Sequence, residues 1–115
     1  MWKIDPSTQS IIMTRGDTPQ FKVNCNCVNA AGSRVPYIPQ PGDTFVFACK
    51  SKYDDRPLFT IPIPSDSMLL KFHESHTKSL ETGKYIYEIS LNRPKDGYHC
   101  TFIQNKRLIL TTEVY

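Results

Sequence analysis

Alternation of apolar and polar side chains over residues 20–28 constrains this chain more than any other feature of its sequence. Phe21, Val23, Cys25 and Cys27 fall on one face of an extended backbone, with Lys22, Asn24 and Asn26 on the other. A period of two does not fit a helix and predicts a half-buried antiparallel strand. The pattern recurs over 43–52, where Phe45, Phe47 and Cys49 oppose Thr44, Val46 and Lys50. It recurs over 85–91, with Tyr85, Tyr87, Ile89 and Leu91 opposite Glu88 and Ser90. Residues 107–114 repeat it through Leu108, Leu110, Thr112 and Val114.

Turn residues divide these runs. Residues 1–9 are expected to form a loose arm and 10–115 a single domain, with a first short strand over 10–14. Arg15-Gly16-Asp17 turns the chain before Pro19. Residues 29–42 read as a long connection carrying Gly32, Pro36, Pro39 and Pro41, with a short edge segment around 35–38. Over 58–63 the chain is extended, but Pro57, Pro62 and Pro64 limit its backbone donors, which suits an edge strand. Another strand is expected over 68–73, a hairpin loop over 92–97 through Pro94 and Asp96-Gly97, a returning strand over 98–103, and a turn at Gln104-Asn105-Lys106. Only residues 75–82 resemble a helix, and they suffice for one turn. Nine prolines against five glycines fit many short strands better than helices. Seven or eight such strands predict an all-β fold, an immunoglobulin-like antiparallel β-sandwich.

One local constellation supports that expectation. Leu80, Gly83 and Tyr85 sit at the offsets of a tyrosine corner, in which a tyrosine just inside a late strand folds back to bond the backbone upstream. Gly83 supplies a conformation most residues resist, and Leu80 would plug the end of the core.

A chain of 115 residues is long enough to bury one core without obligatory disulfides or metals. Its net charge of +3 is mild, and its basic residues are dispersed. The nearest approach to a cluster, Lys50, Lys52 and Arg56, is interrupted by Asp54 and Asp55, which argues against nucleic acid as a partner. No segment approaches the ~20 apolar residues of a membrane helix. The first six residues lack the apolar stretch of a signal peptide, so synthesis in a cytoplasm is expected.

Catalytic constellations are missing from the sequence. His73, His76 and His99 show no spacing suited to a nucleophile–base pair or a zinc protease, and there is no phosphate loop. The acidic residues lie mostly beside turn glycines, as turns require. No enzyme activity, cofactor or metal is therefore expected. Cys25, Cys27, Cys49 and Cys100 leave three readings open: buried thiols packed as small hydrophobes, disulfides, or a four-cysteine zinc site that lacks the usual C-x2-C knuckles. Arg15-Gly16-Asp17 spells an adhesive tripeptide, but a turn accounts for each of its letters.

Four landmarks together resemble a known group: Met13-Thr14-Arg15-Gly16-Asp17-Thr18; Pro41-Gly42-Asp43-Thr44-Phe45-Val46-Phe47; the run from Leu80 through Gly83 and Tyr85 to Leu91; and Leu110-Thr111-Thr112-Glu113-Val114. From about Ile11 to Val114 the chain resembles small proteins of the tail modules of phages and prophages of Gram-positive bacteria, and the N-terminal sandwich domains of some baseplate and receptor-binding components. The resemblance implies a non-enzymatic, virion-associated assembly role, docking on other tail proteins or on copies of itself. Leu58, Phe59, Ile61 and Ile63 form a candidate docking edge, although the last three could simply face the core. The alternative is a carbohydrate- or receptor-binding module that uses loop tyrosines Tyr37, Tyr53 and Tyr98; clustering of these three rings at one end would favour it, and scattering would sink it.

Overall fold

The computed structural model describes residues 2–5, 7–28 and 31–112, without the side chains of Trp2, Cys27, Val28 and Arg34. Among these residues the fold is all-β apart from one four-residue helix. Six strands form the main sheet: β1 (Trp2–Ile4), β2 (Ile11–Thr14), β6 (Thr44–Lys50), β7 (Pro57–Ile63), β9 (Gly83–Arg93) and β10 (Tyr98–Thr111). Their order is β1-β2-β10-β9-β6-β7. Two short ribbons complete the fold. β3 (Gln20–Lys22) pairs with β8 (Leu69–Lys71), and β4 (Asn26–Val28) pairs with β5 (Arg34–Pro36). The helix α1 (Glu74–Thr77) precedes β9.

Alternation decides which face of the sheet is buried. Phe45, Phe47 and Cys49 of β6 stand opposite Leu91, Ile89 and Tyr87 of β9, and opposite Ile63, Ile61 and Phe59 of β7. All but Phe59 are at least nine-tenths buried, and Phe59 packs against them. The β3/β8 ribbon lies over this face. Phe21 and Leu70 are buried, as is Phe72 just beyond β8. Phe47 joins the layers: its ring stacks on Tyr87 at 5.2 Å and meets the edge of Phe72, also at 5.2 Å, and Phe72 in turn meets Phe21. Such pairs add to what the buried area alone contributes.

Several expectations need correction. Part of the loose arm expected over 1–9 is ordered, because Trp2–Ile4 finds an antiparallel partner in β2. The buried Tyr87 hydroxyl donates to the Gln9 carbonyl and ties down the next loop. The single strand expected over 20–28 splits in two, because the chain leaves β8 after Lys22 and pairs with β5 from Asn26. Burial still alternates through Phe21, Val23 and Cys25. The sheet is not purely antiparallel, since β2 runs parallel to β10. Among the described residues ten strands form rather than seven or eight.

The turn expected at Gln104-Asn105-Lys106 is instead an irregularity within β10. The register against β9 shifts twice, between Thr101 and Ile103 and between Ile103 and Lys106. Asn105 sits there at φ 53°, a left-handed value that asparagine tolerates better than most residues. The first shift inserts Phe102 between paired residues; Phe102 is buried and neighbouring Ile103 packs against the core as well. At about 3.3 Å per residue, β10 spans most of the molecule's 50 Å long axis. Glu113 and Val114 lie outside the described residues.

Replacing Phe47 by Ala should cost about 3–5 kcal/mol, because it opens a cavity where both layers meet. Leu58→Ala on the exposed end of β7 should cost less than about 0.5 kcal/mol. Urea unfolding monitored by circular dichroism separates the two.

Candidate functional site

Two of the motifs read from the sequence meet at one corner. The Tyr85 hydroxyl donates to the Glu81 carbonyl at 2.6 Å, and Gly83 adopts φ +145°. Leu80 is half-buried against the core. The Arg15-Gly16-Asp17 turn docks on the same segment. Arg15 donates from Nη1 to the Leu80 carbonyl at 3.1 Å, and the Gly16 amide donates to Thr77 Oγ1 at 2.8 Å, with Thr77 fully buried. Gly16 takes φ +88° to make this approach. The tripeptide thus serves as a clamp between the end of β2 and the corner before β9.

Of the four side chains on the candidate docking edge, Ile61 and Ile63 are buried and Phe59 packs against the core. Leu58 alone is exposed. β7 is nonetheless the last strand of its sheet, and Pro57, Pro62 and Pro64 remove donors from its backbone.

The loop tyrosines separate. Tyr53 follows β6 at the end where Lys50 faces Ile86, whereas Tyr98 opens β10 opposite Arg93 at the other end of the sheet. Tyr37 and Tyr98 come together around Arg93. The guanidinium lies 4.6 Å from the Tyr98 ring centre and 6.0 Å from that of Tyr37. Asp96 grips it through Nε and Nη2, each at 2.9 Å, and Nη1 donates to the Tyr37 hydroxyl at 3.4 Å. Tyr37 donates in turn to the buried Asp43 carboxylate at 2.6 Å, which also accepts the Gln40 amide. The bond from Arg93 holds the Asp96 carboxyl below its ordinary range. Burial, and then the bond to Asp43, raise the pKa of the Tyr37 phenol above its ordinary value. Beside this network lies a cleft of about 530 Å3 lined by Gln40, Pro41, Asp43, Arg93, Lys95 and Asp96. Arg93 carries no motif signal. Its position four residues before a predicted hairpin glycine, with Asp96 between, is the only hint in the sequence.

Two of the three histidines, His73 and His76, form a smaller cluster, while His99 meets Asn92 on the neighbouring strand. The His73 amide donates to His76 Nδ1 at 2.9 Å at the start of α1, and the His76 ring stacks on Phe59 at 5.3 Å. No group of three or more metal-ligating side chains converges among the described residues. Cys25 and Cys49 are buried thiols, and Cys100 is half-buried. Burial pushes the Cys49 thiol up to about 12, which makes it unreactive. The side chain of Cys27 lies outside what is described. Among the described residues no helix is long and apolar enough to cross a membrane.

Comparison with protein-family models, curated proteins and solved structures finds no match to this chain.

Two outcomes follow from this geometry. Tyr85→Phe should lower stability by about 1 kcal/mol through loss of its hydrogen bond, read as a reduced urea midpoint. Burial, followed by the nearby His73, lowers the pKa of His76 below its ordinary 6.5. The unfolded chain therefore takes up that proton first, and stability should fall as pH drops through the window just below 6.5. Protonation also removes the acceptor that the His73 amide uses. In His76→Gln this part of the pH dependence should vanish. The carboxylate of Glu74, whose pKa Lys78 lowers, acts in a separate window below 4.5.

Proposed function

We propose that this protein is a non-enzymatic assembly module, a baseplate-associated component of a phage or prophage tail. It acts through contacts with other tail proteins or with copies of itself, and is carried in the virion after synthesis in the bacterial cytoplasm. The resemblance of the four sequence landmarks motivates the reading. The observation that carries it is the outer face of the six-stranded sheet. Ile12 of β2 stands beside Ile109 of β10, Ile86 of β9 stands beside Lys50 of β6, and Val46 follows along β6. All four apolar residues are half-buried rather than covered. Open edges at β1 and β7 flank them. Half-covered aliphatic side chains set among charged ones, here the Lys50–Glu88 pair and Arg107, suit a docking surface, and an edge strand can accept a further strand.

An immunoglobulin-like sandwich is the finer fold reading. The order β6-β9-β10 matches a C-F-G sheet, the facing β3/β8 pair matches strands B and E, and Tyr85 stands at the start of the F equivalent. The polar clusters support a non-enzymatic role, since Arg15, Tyr85 and Arg93 each spend their bonds on nearby backbone or side chains.

Light scattering across a concentration series should find a closed oligomer, such as a trimer or hexamer, and Ile86→Lys with Ile109→Lys should dissolve it without unfolding the chain. A strict monomer at every concentration counts against self-assembly. If a co-expressed tail protein also fails to bind, the reading fails.

A further inference from the structure

We propose that the free edge of β7 pairs antiparallel with the same edge of a second copy of this chain, about a two-fold axis at Thr60. The inference rests on the self-association half of the assembly reading and names one contact through which copies would meet.

Proline decides which backbone groups of β7 are free. Partners in an antiparallel ladder alternate between pairs that exchange hydrogen bonds and pairs that do not. Pro62 stands opposite Val46 and has no N–H to exchange, so the two form a pair of the second kind. Alternation fixes the others. Ile63, Ile61 and Phe59 bond to Phe45, Phe47 and Cys49, while Pro62 and Thr60 turn their backbone groups outward. Leu58 falls at the irregularity between Phe59 and Pro57 and has no residue opposite it on β6. The edge therefore offers the amides of Leu58 and Thr60, and the carbonyls of Leu58, Thr60 and Pro62.

This set is complementary to itself about Thr60. With Thr60 facing its counterpart, the two threonines bond each other reciprocally, and each Leu58 amide donates to the other copy's Pro62 carbonyl. Every outward amide then has a partner, and only the Leu58 carbonyls, which face proline nitrogens, are left to water. Moving the axis to Phe59 sets Pro62 beyond the paired stretch, opposite Arg56, whose amide Asp54 already holds. Moving it to Ile61 sets Thr60 against proline.

Side chains favour a second copy as the occupant. Residues 57–64 carry no charge, so a symmetric pair sets no charge against its own kind, and the lysine that commonly guards an edge is missing. Leu58 is 46% exposed and would meet the exposed Pro62 ring of the other copy, twice over. Thr60 is exposed as well, and threonines facing each other across strands are a favourable pair. A contact of this kind is isologous and closes at two copies. Joined to a three-fold contact on the outer sheet face it gives a hexamer, so the number of copies is even.

The test is light scattering of the full chain and its variants across a concentration series, with folding followed by circular dichroism. The expected result is a dimer or a hexamer. Thr60→Lys places like charges at the axis and should weaken the pairing about tenfold or more, with the fold intact. Thr60→Cys should oxidise to a covalent dimer faster than either Thr44→Cys on the neighbouring strand or the parent chain. Bonded antiparallel partners hold their Cα atoms about 5.5 Å apart, within disulfide reach. This second variant decides the matter if the lysine variant does not fold. A strict monomer overturns the pairing and self-association together, and leaves docking on other tail proteins to be judged by co-expression. A trimer, an oligomer that Thr60→Lys leaves intact while Ile86→Lys with Ile109→Lys dissolves it, or cross-linking no faster than in Thr44→Cys overturns the pairing alone and leaves the assembly reading standing.

Discussion

The contact of Phe47 with Tyr87 on one side and Phe72 on the other is what the rest of the structure depends on. A six-stranded sheet cannot bury one face by itself, and the three-residue strands β3 and β8 are too short to persist without support. Phe47 lies midway along β6, one strand in from the β7 edge, opposite Ile89 on one side and Ile61 on the other. Phe72 brings the ribbon to that point and Phe21 extends the contact. The order of the ribbon, of α1 beyond it and of the corner before β9 all follow from this junction.

The sheet was legible in the sequence because its signal is local. Alternation in β6, β9 and the second half of β10 depends only on which side of each strand meets the core. Tyr85 and its bond to Glu81 were legible for the same reason, since the whole corner lies within six residues. Partner choice was not. Nothing in 20–28 indicates that its first residues pair with β8 and its last with β5, because those partners are set by packing far along the chain. Asn105 reads as a turn residue, and its left-handed backbone does break the pattern; the flanking apolar runs on β10 both still face the core, so the strand continues through it. The Arg93 network was invisible for a related reason. Its members come from the 37–43 loop and from either side of the β9–β10 hairpin loop, and only the fold brings Tyr37 within reach of Arg93.

Conformational restraint is concentrated at the two ends of the sheet. At one end the Arg15 turn and the tyrosine corner hold each other through Leu80 and Thr77. At the other, Arg93 fastens a loop to a hairpin. Between them the outer sheet face carries its half-covered isoleucines. The geometry separates these hydrogen-bonded ends from a sheet face on which half-covered aliphatic side chains lie among charged ones, the Lys50–Glu88 ion pair included.

The parallel pairing of β2 with β10 has a consequence for how the chain reaches this state. Ile11 lies beside Leu108, almost the whole sequence away. During synthesis β2 waits without its neighbour until the final strand has emerged, and β1 waits with it. Closing so long a loop is entropically costly before any contact rewards it, and places the chain among slow folders governed by distant contacts. Meanwhile the newborn chain exposes Ile11 and Met13 at an unpaired edge, so it is prone to wrong association until β10 has emerged.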